Sequence, residues 1–533
     1  MGGNNNRGYS IINLERLALV IALIFMVPFV FLASSVFFPF GDNWIHIIDN
    51  VLLDYFVNSL SLAVGVGFFT FIIGTSTAWL TSMYEFPFRK LISWLLLMPL
   101  AMPAYIIAIT YVGIIDSFSF LPDIRNLFGG IIMISLVVYP YVYILARGAF
   151  LEQSKELHEN SQILGASQLQ IFLKISVPMA RPAIILGVTL ASMEALADFG
   201  TVSFLGIPTF TTGIFRIWFG MNDTVTATQM ATLLLSIVFI FVFIEQNSRK
   251  KIRYSENTKT QSRLNYKITS RKNNFFIIFL CILPLAFGFV IPFFQLVYWS
   301  LFVSSEPWDS NFFDIVNNTI LLSFSAAVII SFISILVTYI KRLRPKSITN
   351  KFMQIITLGY AIPGPVVAIA VMIPLASFDN YINQFLINKF NFSVGLFFSG
   401  TIFILIFAYC IRFLTVSSRT IRSGLDSISI VTDDSAKSLG ANTRTLLTKI
   451  HFPMLKTYLL TSFLVVFIDV MKELPLTQIL RPFNFNTLSV TAFELASDEK
   501  IVDASNAAIM IVLAGIIPVI FITKNIIGKR NKV

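Results

Sequence analysis

The chain has 533 residues, 56% of them hydrophobic and 13% charged, about half the charged share of roughly 25% usual in soluble domains. That balance excludes an ordinary soluble enzyme or binding module, and apolar runs of about 20 residues, enough to cross a hydrocarbon core as a helix, recur from end to end. The net charge of +11 needs no nucleic-acid partner, because Lys and Arg on cytoplasmic loops are the ordinary orientation signal of a membrane protein.

Twelve membrane helices are expected near residues 17–37, 58–82, 91–113, 129–148, 183–203, 229–246, 275–303, 318–340, 353–376, 394–414, 457–474 and 504–525. The first has no small-residue cleavage site and is followed by further spans, so it reads as a permanent helix rather than a removed signal. Asp42, Asp49 and Asp54 mark the next loop as external, and Arg89 and Lys90 mark the one after it as internal. Glu306, Asp309 and Asp314 again mark an external loop, and Lys341, Arg342, Arg344, Lys346 and Lys351 an internal one. Between the sixth and seventh spans, residues 247–274 carry nine Lys or Arg against the single acid Glu256, a cytoplasmic linker by charge. The expected division is a first half over 1–248, a basic linker over 249–274 and a second half over 275–533, with both termini cytoplasmic. Cys281 and Cys410 fall inside apolar runs, where sulfur serves as a small hydrophobe.

The chain repeats itself. ILGASQLQIFLKISVPM at 163–179 and SLGANTRTLLTKIHFPM at 438–454 share Leu, Gly, Ala, Lys, Ile, Pro and Met at the same offsets, which aligns Gly165 with Gly440 and Pro178 with Pro453. Earlier in each half the shift is smaller: Asn58 aligns with Asn318, and Ala101-Met-Pro103 with Ala361-Ile-Pro363. An insertion in the second half, around 375–390, accounts for the difference. Two halves of six spans each have the same orientation and a pseudo-twofold axis along the membrane normal. Both copies of the repeated loop, 157–182 and 432–457, are then cytoplasmic.

In each loop an acid, Glu159 or Asp434, stands six residues before a glycine, Gly165 or Gly440, which an alanine follows, Ala166 or Ala441; Pro178 or Pro453 closes the segment. An acid favours a helix N-terminus, the glycine permits a turn and the proline stops or redirects the chain before the next span. A short docking helix, a turn and a second helix are expected. Two further pairs of acids, Glu194 with Asp198 and Asp469 with Glu473, match in the same register as the loops, and their spacing of four puts each pair on one helix face. Both pairs lie inside expected spans, the fifth and the eleventh, where ionisable groups belong in a bundle interior or a watery path, so they are candidates for an external gate or translocation path; helix capping and pairing with Lys472 is the alternative. A tight metal site is not expected, because a conducting path must release its cargo. His46, His158 and His451 are scattered and read as surface residues. No GxxxxGK[ST] loop occurs, so no phosphate-cradling site and no catalytic residue is expected.

With their acid, glycine and proline spacing, the two loops resemble the EAA loops of ABC-importer permeases, although Asn160-Ser161 stand for the two alanines of that pattern and Asp434-Ser435 for its Glu-Ala. The stretches 192–223, 472–490 and 493–499 resemble the fused iron(III) permeases of the binding-protein-dependent type. The resemblance implies an all-α polytopic membrane protein of the type I ABC importer permease fold, in the bacterial inner membrane. It implies coupling through Glu159, Gly165, Ala166, Pro178, Asp434, Gly440, Ala441 and Pro453 to two copies of an ABC ATPase subunit that binds ATP. The chain would hold no cofactor and receive ferric iron from a periplasmic binding protein. Relatives of the same architecture carry thiamine, polyamines, sulfate or phosphonates, so those cargoes stay open. A proton-coupled secondary transporter built from two parallel six-span halves would share the span count, but would not need paired docking loops.

Overall fold

The computed structural model describes residues 5–118, 122–252, 267–268, 271–344, 347, 350, 359, 362–393 and 395–530. The described residues are helical almost throughout, apart from a two-residue parallel pairing of Tyr84–Glu85 with Lys267–Ile268. In chain order the first half comprises α1 (Asn5–Ser34), α2 (Leu52–Met83), α3 (Arg89–Ala101), α4 (Ala104–Asp116), α5 (Leu127–Leu151), α6 (Lys155–Ile163), α7 (Gln168–Ala197), α8 (Gly200–Phe204), α9 (Phe210–Gly220) and α10 (Thr224–Ile252). The second half comprises α11 (Asn273–Val303), α12 (Ser310–Leu343), α13 (Gly364–Phe390), α14 (Ile402–Asp426), α15 (Ile430–Ser438), α16 (Thr443–Met471), α17 (Pro475–Leu480), α18 (Leu488–Ser497) and α19 (Ser505–Arg530).

Among the described residues ten helices are long and apolar enough to cross a membrane, or eleven with the bent pair α3 and α4. Two of the twelve expected spans differ in form. The third span is not one helix: α3 and α4 meet at 90°, because Pro99 and Pro103 interrupt the backbone ladder. The ninth was placed at 353–376; 353–358 lie outside the described residues, and α13 begins at Gly364 and runs on to Phe390. The last, expected at 504–525, falls on α19, a helix from Ser505 to Arg530.

The repeat is visible helix by helix. α5 and α14 have 25 residues each, and α6 and α15 have nine each. The inserted residues fall on α13, which has 27 residues against 13 in α4. Ser59 Oγ accepts from the Phe210 amide at 3.0 Å, and Thr319 Oγ1, its counterpart in the second half, accepts from the Leu488 amide at 2.9 Å. These bonds satisfy the first amides of α9 and α18, which have no partner within their own helix.

The halves exchange their first helices. α1 packs on α12 and α13, with Phe25 edge-on to Phe407 and Glu15 ion-paired to Arg344. In return α11 leans on the first half, where the Tyr111 hydroxyl donates to the Phe287 carbonyl at 2.7 Å. Close crossings use glycine, as in other membrane bundles. A Cβ on Gly187 would stand 2.7 Å from the Val142 Cα, and one on Gly515 2.4 Å from the Ala101 carbonyl oxygen. Gly187→Val is therefore expected to destabilise the α5–α7 crossing by about 1–3 kcal/mol. Gly148→Ala, at a position with nothing within 4 Å, should melt within a degree or two of the parent by intrinsic fluorescence in detergent.

Candidate functional site: paired loops and a central cavity

The two repeated loops fold alike. Ser154 and Ser429 stand at the N-caps of α6 and α15, so these helices start four residues before Glu159 and Asp434. The expectation that those two acids favour the helix N-termini is corrected: both lie in the second turn, and the first turns hold Glu156 and Asp433 instead. Asp434 pairs with Lys437 at 3.6 Å on the exposed face. Each helix ends in a left-handed glycine, Gly165 at φ +84° and Gly440 at φ +89°. The amides of Ala166 and Ala441 then reach back to the Ser161 and Ala436 carbonyls, both at 3.0 Å. This is a Schellman closure, for which glycine is the fitting residue.

Pro178 and Pro453 do not stop the chain as expected. Both sit at the second position of a helical segment that continues unbroken from a π-helical turn, Phe172–Ser176 or Leu446–His451. The wider turn shifts the ladder ahead of the proline, so α7 and α16 run through for 30 and 29 residues.

Two of the histidines are not surface residues. His158 is 7% exposed and His451 is fully buried, and they tie each short helix to the long helix that follows. His158 Nδ1 lies 3.1 Å from the Ser154 carbonyl and Nε2 3.0 Å from Ser176 Oγ. Because the carbonyl only accepts, Nδ1 carries a proton and donates to it, while Nε2 and the Ser176 hydroxyl share the second bond. In the second half the same two positions are held by Asp433 and His451, with His451 Nε2 donating to Asp433 Oδ1 at 2.8 Å. Histidine has changed sides of the contact. An aromatic ring backs each one: Trp79 stacks on His158 at 5.9 Å, and Tyr339, the counterpart of Trp79 in the repeat, meets His451 edge-on at 5.6 Å.

The tie in the second copy is between charged groups. Arg342 grips both Asp433 oxygens, at 2.8 and 2.9 Å, and donates to the Ile428 carbonyl at 3.0 Å. Burial opposes the Asp433 charge, but hydrogen bonds and positive charge from Arg342 and His451 outweigh it and hold its carboxyl below the usual range. Beyond these ties the loops expose apolar tips, Leu164 at 87% and Leu439 at 90%, equivalent in the repeat. No Cβ on Gly165 or Gly440 would meet an atom within 4 Å. Exposed leucines beside open glycine turns leave room for a partner surface.

The second assembly is a cavity of about 150 Å³ between the halves. It gathers all four acids, Glu194, Asp198, Asp469 and Glu473, with Lys472, Arg412, Tyr105 and Tyr141. Its walls are helix breaks: Met102 to Ala104, Ala197 to Gly200 and Lys472 to Pro475 all line it. Neither pair of acids shares one helix face, because α7 ends at Ala197 and α16 at Met471. Asp198 caps α8, accepting from the Thr201 and Val202 amides at 3.0 and 3.1 Å and from the Thr201 hydroxyl at 2.9 Å. Glu473 accepts from the Leu476 amide at 3.3 Å and pairs with Arg412 at 3.1 Å. Asp469 pairs with Lys472 at 2.8 Å. Capping and pairing are thus real, and the same carboxylates face the cavity. Among the described residues no three His, Cys, Asp or Glu side chains converge to hold a metal ion. Arg412 gave no signal in the sequence; an arginine in the middle of an apolar span could have drawn attention to it.

Broken helices around a charged cavity, and two matching loops, go with a likeness to the membrane-spanning permeases of ABC importers, the inner-membrane components of transport systems. Residues 70–254 match the family described as binding-protein-dependent transport system inner membrane component. Over 531 residues the chain is 26% identical to the Fe(3+)-transport system permease protein FbpB 2 of Haemophilus influenzae, covering 96% of this chain and 98% of that protein. Shorter matches are to the sulfate transport system permease protein CysT of Salmonella typhimurium, 29% identical over 28% of this chain and 56% of that protein. The molybdate/tungstate transport system permease protein WtpB of Methanocaldococcus jannaschii is 26% identical over 35% of this chain and 77% of that protein.

The charged tie of the second loop has a measurable consequence. Asp433→Ala takes the carboxylate from Arg342, whose side chain is 12% exposed, a loss of about 1–3 kcal/mol. Hydrogen exchange of α15 amides should rise while that of α6 is unchanged. In the parent, a depressed carboxyl pKa gives stability that is complete above the unfolded value of about 3.9 and lost as pH falls through the lower folded value. Protection of α15, corrected for intrinsic exchange, is therefore expected to hold to pH 5 and fall below about pH 4.

Proposed function

We propose that the chain carries ferric iron, released by a periplasmic binding protein, through the central cavity, and that two copies of an ABC ATPase drive it from the cytoplasmic face through α6 and α15. The observation that carries the coupling is the pair of loops with one backbone geometry, each ending in an exposed leucine beside an open left-handed glycine. A pair of equivalent surfaces at one end of the bundle fits a twofold partner. The charge pattern supports the cytoplasmic assignment of that end and of both termini. ATP hydrolysis belongs to the separate subunit, and this chain is the non-catalytic path.

The iron assignment is supported by the likeness to an Fe(3+) permease, which spans nearly the whole of both chains, whereas the likenesses to sulfate and molybdate permeases cover about a third of this one. It is also supported by the excess of carboxylates over cations in the cavity. ATP-driven closure of the partner would push both short helices; the continuous α7 and α16 would carry that motion to the breaks at Asp198 and Lys472, alternating access to the cavity.

Gly165→Leu combined with Gly440→Leu tests the coupling. Leucine fits the open space but must take a left-handed backbone, at about 1–2 kcal/mol per site, and its side chain would obstruct a docked partner. The double variant is expected to insert normally and to lose ATP hydrolysis stimulated by the iron-loaded binding protein. Stimulation equal to that of the parent in proteoliposomes would remove the coupling role from these loops.

A further inference from the structure

The two halves differ inside the cavity in one respect: every cation comes from the second. In the register that aligns Gly165 with Gly440, the first-half counterparts of Lys472 and Arg412 are Ala197 and Val137, and both also line the cavity. The second half makes room for its guanidinium. A Cβ on Gly364 would stand 2.4 Å from Arg412 Nη1 and 2.9 Å from Glu473 Oε1, while the matching position, in the register that aligns Pro103 with Pro363, is Ala104. Each cation sits on a carboxylate of its own half, Lys472 on Asp469 at 2.8 Å and Arg412 on Glu473 at 3.1 Å. A further group has no such partner. Tyr105, 5% exposed, lines the cavity with its hydroxyl buried and without a hydrogen bond, an arrangement that costs free energy unless a ligand or water meets it.

We propose that Lys472 and Arg412 are tethered counter-cations: they neutralise Asp469 and Glu473 when no cargo is present, and a polyvalent cargo cation passes by taking their place. The proposal rests on the reading of this cavity as the translocation path. Four carboxylates with no counter-charge in an apolar surround would be costly. Two side-chain cations lower that cost without filling the cavity with a tightly held ion. An incoming trivalent cation exchanges like for like, gains Glu194 and Asp198 as further neighbours and offers its hydration shell to the Tyr105 hydroxyl. An oxyanion would have to break both ion pairs and then face all four carboxylates. Since no three acids among the described residues converge on one point, the cargo is passed between carboxylates rather than chelated, which suits release.

The test uses the full permease–ATPase complex in zwitterionic nanodiscs, with Tb³⁺ as a trivalent probe, and ferric uptake by proteoliposomes supplied with the binding protein. Lys472→Met is expected to tighten Tb³⁺ binding by about tenfold or more and to slow uptake, because the unpaired Asp469 holds the cation. Lys472→Arg should behave as the parent, and Asp469→Asn combined with Lys472→Met should return Tb³⁺ binding to the parental level. Arg412→Gln, read in the same way on Glu473, provides the second variant if Lys472→Met fails to assemble. Unchanged Tb³⁺ affinity in Lys472→Met, while Asp469→Asn still abolishes uptake, overturns the counter-cation role and leaves the path reading standing. Full uptake in both Asp469→Asn and Glu473→Gln overturns the path reading itself. Molybdate binding in the parent that disappears in Lys472→Met overturns the proposal by assigning the cations to an anionic cargo.

Discussion

A bilayer core supplies no hydrogen bonds, so any backbone that leaves a helix at that depth must be satisfied by the protein. The helix interruptions at Met102–Pro103, Asp198–Phe199 and Lys472–Leu474 all lie on the wall of one cavity between the halves. Their free amides explain acids at such a depth. Asp198 and Glu473 cap the helices that follow the breaks, so carboxylates brought in for backbone satisfaction also set the charge of the cavity. Backbone capping and cavity charge meet in the same atoms.

The exchange of α1 and α11 ties the halves together: α1 packs against α12 and α13, and α11 against the first half, while the cavity itself is lined by other residues of both halves. α7 and α16 run without interruption from the loops to the breaks, kept continuous by the π-helical turns before Pro178 and Pro453.

Duplication has not preserved chemistry at every matched position. The loop ties use His158 with Ser176 in one half and Asp433 with His451 in the other, and only the second is reinforced by Arg342. The cavity shows the same bias, with Lys472 and Arg412 both from the second half. Two matched halves within one chain are free to differ, since neither must serve at both positions of a symmetric dimer.

The sequence by itself determined the helical membrane class, the duplication, both loops and the four acids, because apolar length, charge alternation and fixed spacing are local properties that survive without coordinates. It misjudged what depends on three-dimensional neighbours. The third span reads as one apolar run but bends at Pro99 and Pro103; Pro178 and Pro453 read as stops but are absorbed by π-helical turns. His158 and His451 read as surface residues because their partners, Ser176 and Asp433, lie 18 residues away in sequence, beyond the reach of helical periodicity. The pairing of Arg412 with Glu473, and the convergence of four acids on one cavity, were decided only by tertiary structure, since ion pairs between helices are fixed by how the halves pack and not by any spacing along the chain.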